Sequence, residues 1–595
     1  MKQFFKFLFA STLGVFLAIV LVLFMGIGIA AISVTAIESQ KSITLTESSI
    51  LHIKLDYPIN DRTSNDPLEN LDWGTMKSQK SLGLNSIIEN INKAKGDDNI
   101  DGIYLDLSFI SAGYATIGEI RDALHSFSDE TGKFIFCYSE MMSQKAYYLA
   151  SVSDKIYLNP EGYIQLTGLA ANLSFFKGTL EKLDIEPQVI RHGKFKSAVE
   201  PFINDKMSPE NKTQIETFLN GIWDHVRDEI STGRGLSTRE LNLITDSLWA
   251  DNANGAMENY IADELHYKDE LLADIRELIE LEEDEEIPFI SLTKYDRVPK
   301  TRDKDKKKTV VRDRIAVIYA QGAIVSGNGG KDEIGSERIS RAIRKARLND
   351  KVKAIVLRVN SGGGSALASD VIWREMRLAR EVKPVVASMG DVAASGGYYI
   401  ACGADTILAS KSTITGSIGV LGILFNMQGF YNNKLGITFD GVKTNPYADL
   451  GNLSRPLTDA EKRIIQKEIE RIYDVFITHV AEGRGLTKEQ VDSIGQGRVW
   501  AGGDAKDLGL VDVIGGLERA IEIAQEMAGL EEYRLLELPK QKDPLEELLA
   551  EIMGEGQEVL LKHQLGDVYS YMQELQKVSK LQGIQAVLPY EINIQ

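Results

Sequence analysis

The sequence predicts an α/β protein built as two tandem homologous units of strand–helix–strand type, set behind an N-terminal membrane-spanning helix. Three observations carry this reading. The chain repeats itself at an offset of about 250 residues. Within each copy, short apolar runs alternate with helical ones. Residues 7–34 form an apolar run without a single charge.

The N-terminal run comes first. About 20 apolar residues cross a bilayer as a helix, and FLFASTLGVFLAIVLVLFMGIGIAAISV is long enough with room for tilt. Lys2 and Lys6 precede it, and no Lys or Arg follows until Lys41. The positive-inside rule then puts the N-terminus in the cytoplasm and the rest of the chain outside. A cleaved signal peptide carries a shorter apolar core of about 7–15 residues. The expectation is therefore an uncleaved anchor, residues 1–47, with the lipid bilayer as its partner.

The repeat follows. SILHIKLDYPIND (49–61) resembles DRIAVIYAQGAIV (313–325), and IDGIYLDLS (100–108) resembles VKAIVLRVN (352–360). KAYYLASVSDKIYLNP (145–160) matches GGYYIACGADTILASK (396–411), STGRGLS (231–237) matches AEGRGLT (481–487), and Trp249-Ala250 matches Trp500-Ala501. Matches in one order at one offset mark a duplication. The expected units are a first repeat at 48–298, a charged linker at 299–311, a second repeat at 312–530 and a helical, polar C-terminal appendage at 531–595. In the second repeat KAIVLRVN reads as a buried strand, LASDVIWREMRLAREV as a helix and KPVVASM as the next strand. That alternation means a largely parallel sheet with helices on its faces.

Composition narrows the function classes. A chain of 595 residues exceeds one core. A net charge of -19 argues against nucleic acid as a partner. The two cysteines, Cys137 and Cys402, sit in apolar runs and read as buried thiols. No cluster of His and Cys has metal-ligand spacing, and no cofactor is implied.

Three segments could do chemistry. In SMGDVAASGGYYIACGAD (388–405) a strand ends and a turn of small residues leads into a helix, with Ser395 at the turn. A serine at a helix N-terminus faces backbone N–H groups that favour developing negative charge; a plain N-cap would look the same. In LRVNSGGGSALASD (357–370) Gly362, Gly363 and Gly364 follow a buried strand, so the backbone can approach a ligand and offer oxyanion donors; a flexible turn also fits. In IRHGKFKSAVEPF (190–202) Lys196 is flanked by Phe195, Ala198, Val199 and Phe202. Desolvation among such neighbours lowers a lysine pKa toward that of a usable base, although most lysines are simply solvated.

Comparing the copies sharpens these readings. Gln144 stands opposite Ser395, and Lys145 opposite Gly396. FISAG (109–113) stands where the second copy has SGGGS (361–365), and Thr444 stands opposite Lys196. Each copy thus holds a different part of one set. Seven histidines occur, and only His192 lies beside a candidate motif.

KSAVEPF, RVNSGGG, SMGDVAASGGYY and TGSIGVLG (415–422), with the anchor and the duplication, resemble the signal peptide peptidase A family in its long, two-repeat form, protease IV. The resemblance runs to about residue 530. It implies a fold like that of the crotonase and Clp-protease superfamily and a serine endopeptidase with a Ser/Lys dyad. Ser395 would be the nucleophile and Lys196 the general base. Ser417 would orient the lysine, Gly362 and Gly363 would match the glycines of the oxyanion hole, and Gly396 would be a further supporting residue. It further implies a homotetramer at the inner membrane, with its catalytic part outside the cytoplasm, that cleaves released signal peptides and similar apolar peptides. This chain has a second lysine, Lys194, close to Lys196. Rival readings are an acyl-CoA enzyme of the crotonase type and a non-catalytic scaffold with a degenerate site.

Overall fold

A computed structural model describes residues 45–66, 71–72, 77–78, 81–282, 285–300, 311–541 and 584–588, with scattered positions between 6 and 19. The expected anchor lies largely outside the described residues. Among those described, no helix is long and apolar enough to cross a membrane. Linker residues 301–310 also lie outside them.

Each repeat builds one mainly parallel sheet. In the first, the order is Glu264–Leu265, Lys155–Ile164, Phe134–Met142, Ile100–Asp106, Ser49–Ile53 and Phe289–Ser291, every pair parallel. In the second, Val499–Ala501, Ile414–Gly416, Val385–Ala394, Val352–Ser361, Arg314–Gln321 and Arg534–Leu538 follow one another. There only the outermost pair, Ile414–Gly416 with Val499–Ala501, is antiparallel. The strands are short continuous apolar runs because helices cover both of their faces.

The repeated motifs turn out to be punctuation. The helices Pro209–Arg234 and Asp459–Arg484 are each 26 residues long. They end at Gly235 and Gly485, whose left-handed φ of 66° and 65° only glycine adopts without strain. Ser237 and Thr487 then open the next helices with capping boxes to Glu240 and Gln490. STGRGLS and AEGRGLT are thus one stop and one start signal, used twice.

The appendage at 531–595 needs correcting. Arg534–Leu538 pairs in parallel with Arg314–Gln321, as Phe289–Ser291 pairs with Ser49–Ile53. The second repeat therefore runs on to residue 538. Ile584–Val587 is also a strand. An edge strand with most of its side chains half-exposed or exposed carries no strong periodicity, which is why the sequence does not mark it. Residues 542–583 lie outside the described residues.

The repeats are not independent bodies. Glu186–His192 of the first pairs antiparallel with Val420–Asn426 of the second, from Val420↔His192 to Asn426↔Glu186. Arg358 of the second repeat is wholly buried and donates to Asp61 at 2.8 Å and Glu119 at 2.6 Å, both in the first. Asp391 accepts from the N–H groups of Gly113 and Thr116 and from the Thr116 hydroxyl, so it caps the helix Tyr114–Thr131 of the other repeat.

Candidate active site

The strand Val385–Ala394 ends at Ser395, and the helix Gly396–Ala401 begins one residue later. The turn is tight. Ser395 has φ 56°, which is rare for a residue with a side chain. Its N–H donates to the carbonyl of Gly416 at 2.8 Å. Ser417 also lies at positive φ, 51°, and its N–H donates to the Arg498 carbonyl at 2.6 Å. Two strained serines this close together mark a functional centre, since strain persists only where the surroundings hold it.

Lys196 reaches this centre from the other repeat. It lies between the strand Glu186–His192 and the short helix Ser197–Val199. Its Nζ donates to Ser395 Oγ at 2.8 Å, to Ser417 Oγ at 3.1 Å and to the Ser417 carbonyl at 3.3 Å. All three side chains are 0 % exposed. Burial pushes the Lys196 ammonium well below the ordinary lysine value of 10.5. Its partners are hydroxyl and carbonyl oxygens rather than a carboxylate, so no full negative charge restores the protonated form.

The other candidates sort clearly. Lys194 is exposed. His192 packs against Tyr473, with ring centroids 4.1 Å apart and ring planes tilted by 31°. Thr444 sits on an exposed loop. The Gly363 N–H donates to Ser361 Oγ at 3.1 Å, and Ser361 in turn donates to the Gly322 carbonyl. Gly363 and Gly396 adjoin, because a Cβ on Gly363 would meet the Gly396 nitrogen at 2.6 Å. The first copy of the turn is plugged. Gln144 donates to Tyr114 Oη and the Gly168 carbonyl and accepts from the N–H groups of Thr167 and Gly168. Both cysteines are buried and free, as read from the sequence.

Sequence reasoning missed the residues behind the lysine. The Gln496 carbonyl accepts from the Phe195 N–H at 3.0 Å, and the Gly497 N–H donates to the Ile418 carbonyl at 2.7 Å. Gln214 ties Ser197 and the Phe195 carbonyl to the helix Pro209–Arg234. The one available signal was the Trp500-Ala501 match, which begins two residues after Arg498.

The chain matches the description Peptidase family S49 over residues 128–282 and 377–531, one stretch in each repeat. It is 40% identical over 464 residues to Protease 4 of Salmonella typhi, covering 76% of this chain and 73% of that one. It is 36% identical over 488 residues to the chloroplastic serine protease SPPA of Arabidopsis thaliana, covering 80% and 71%. Among solved structures, a ClpP1 mutant from Listeria monocytogenes is similar at 17% identity over 34% of this chain and 94% of its own, with a TM-score of 0.24. On the two repeats and these identities, the chain belongs to peptidase family S49 and is a serine protease.

Proposed function

We propose that this serine protease is a membrane-anchored endopeptidase with a Ser/Lys dyad that degrades cleaved signal peptides and similar apolar peptides. The observation that carries the reading is the buried Lys196 Nζ held 2.8 Å from Ser395 Oγ. Neutral Lys196 takes the proton of Ser395, whose oxygen attacks the peptide carbonyl. Backbone N–H groups of Gly363 and Gly396 receive the oxyanion, the former turning from Ser361. Lys196 then protonates the leaving amine, and water releases the acyl group. Ser417 holds the lysine in line through its hydroxyl, and Gly362 belongs to the same glycine turn.

Apolar substrates are supported by the apolar side chains beside the lysine, Ala198, Val199 and Leu421, which form one cluster. The charge-free run at 7–34 supports single-pass anchoring in the inner membrane, with the catalytic part on the far side from the cytoplasm. A homotetramer is the assembly proposed by resemblance.

Peptide hydrolysis by wild type, Lys196→Ala and Ser395→Ala tests the mechanism. Both variants are expected at the blank while remaining folded. A Lys196→Ala enzyme that keeps most of its activity would sink the dyad. Resistance of the membrane-bound protein to alkaline extraction tests the anchor.

A further inference from the structure

A lysine side chain is long, so its ammonium is placed only as well as the backbone it grows from. Lys196 is the middle residue of a tight turn. Its φ is -76° and its ψ is 76°, and the Ser197 N–H donates to the Phe195 carbonyl at 2.8 Å. That is an inverse γ-turn, closed by a single bond. Gln214 braces it from the second turn of the helix Pro209–Arg234. Its Nε2 donates to Ser197 Oγ at 2.7 Å and to the Phe195 carbonyl at 3.2 Å, on the two residues that flank the lysine, and to Asn211 Oδ1 at 2.9 Å. Its Oε1 accepts from the Val499 N–H at 3.3 Å, 285 positions away.

Val499 stands opposite Gly416 in the antiparallel pair. The Gly416 carbonyl takes the Ser395 N–H, and the Arg498 carbonyl takes the Ser417 N–H. One side chain thus joins the lysine turn of the first repeat to the strand of the second on which both serines are set. Gln214 is wholly buried, as are Lys196 and Asn211. An amide suits this place because it carries donors and an acceptor without a charge. A carboxylate there would favour the ammonium form of the nearby lysine. Glu200, the carboxylate in the same network, is held by other groups. It accepts from the Ser208 N–H and hydroxyl and from Asn211 Nδ2. It also lies 3.9 Å from Arg191, which donates to the Lys196 carbonyl at 3.1 Å.

We propose that Gln214 is a positioning residue for the general base: it fixes the Lys196 turn against the strand behind Ser395 and Ser417, so that Nζ meets Oγ, and it does so without adding charge. It acts through Lys196 and not on the substrate. This inference rests on the Ser395/Lys196 reading above.

The test uses the full-length enzyme and a short apolar fluorogenic peptide. Gln214→Met keeps the length and bulk of the side chain and loses its hydrogen bonds. A lysine displaced by about 1 Å loses on the order of a hundredfold in rate, so kcat is expected to fall roughly 10- to 100-fold with KM within about twofold. The pH profile is the second readout. Burial is what lowers the Lys196 pKa, so a lysine that slips from its place regains water. The limb on which kcat/KM rises with pH is then expected to move to higher pH. The titratable groups bordering the turn, Arg191, His192, Lys194, Glu200, Asp492 and Arg498, stay the same in every variant. An amide that served stability alone would change the melting temperature and leave the limb in place. Ser197→Ala removes one acceptor of the amide and is expected to lower kcat about two- to fivefold, but to add nothing in the Gln214→Met background. A folded Gln214→Met enzyme that keeps more than half of the wild-type kcat, or an unmoved limb, would overturn the proposal. Where that variant fails to fold, a Ser197→Ala enzyme with the wild-type kcat and limb overturns it instead. Lys196→Ala separates the failures. If it stays active, the dyad reading falls; if it is inactive while Gln214→Met behaves as wild type, only the positioning role falls.

Discussion

Gly497 sits behind Lys196 without contributing a side chain, and adding one methyl group there tests how tightly the proposed general base is held. Its φ is 83°. A Cβ at this position would come within 2.7 Å of the N, Cα and Cβ of Lys196. Ordinary carbon contacts begin near 3.4 Å, so in Gly497→Ala either Lys196 or the 496–498 turn must retreat by roughly 0.7 Å. Left-handed backbone with a side chain adds a cost of about 1–2 kcal/mol to the fold. The larger effect falls on chemistry. A misplacement of about 1 Å costs on the order of a hundredfold in rate, so kcat/KM is expected to fall roughly 30- to 100-fold. The assay is steady-state hydrolysis of a fluorogenic peptide, with the melting temperature and labelling of Ser395 by a serine-directed probe measured beside it. A folded Gly497→Ala enzyme that retains more than half of the wild-type kcat/KM would refute the reasoning, because the lysine would then tolerate displacement.

Three further outcomes follow from the same geometry. Burial lowers the Lys196 pKa in the folded state, so between that lowered value and 10.5 the unfolded chain binds more protons. Stability lost to the lysine is then lost in full at low pH and recovered as pH rises toward 10.5. Lys196→Met is therefore expected to raise the melting temperature most in acid and neutral solution, with the gain shrinking toward pH 10.5; a gain that grows with pH contradicts this. Ser417→Ala removes one acceptor of the lysine, about 1 kcal/mol of positioning, and is expected to lower kcat five- to tenfold with KM unchanged in steady-state kinetics. Arg358→Leu leaves Asp61 and Glu119 buried without their cation and is expected to cost about 3–5 kcal/mol in urea unfolding. A loss under 1 kcal/mol would show that water reaches the pair.

Local signals were legible in the sequence because they are short-range. The strand–helix alternation and the serine turn of ASGGYY each depend on neighbours within a few positions, and the duplication shows because the same short motifs recur in order at an offset of about 250 residues. Periods of 2 and 3.6 residues are enough to show them. The pieces of the site were likewise readable as pieces: Ser395, Lys196, Ser417 and the glycine turn all come to the same centre. The residues behind the lysine were not readable. Gln496 and Gly497 act through a carbonyl and a missing Cβ, and backbone groups leave no signature in residue type.

What the sequence by itself determined is the duplication, the element types and the chemistry on offer. Tertiary structure alone decided how those parts meet. Lys196 and Ser395 stand 199 positions apart, and in sequence the lysine resembles any solvated one. Its burial exists only because a strand of the first repeat pairs with Val420–Asn426 of the second. The edge strand Arg534–Leu538 and the strand Ile584–Val587 were equally hidden. A short strand is held by hydrogen bonds to distant partners rather than by its own pattern, so its place is set by the gap it fills.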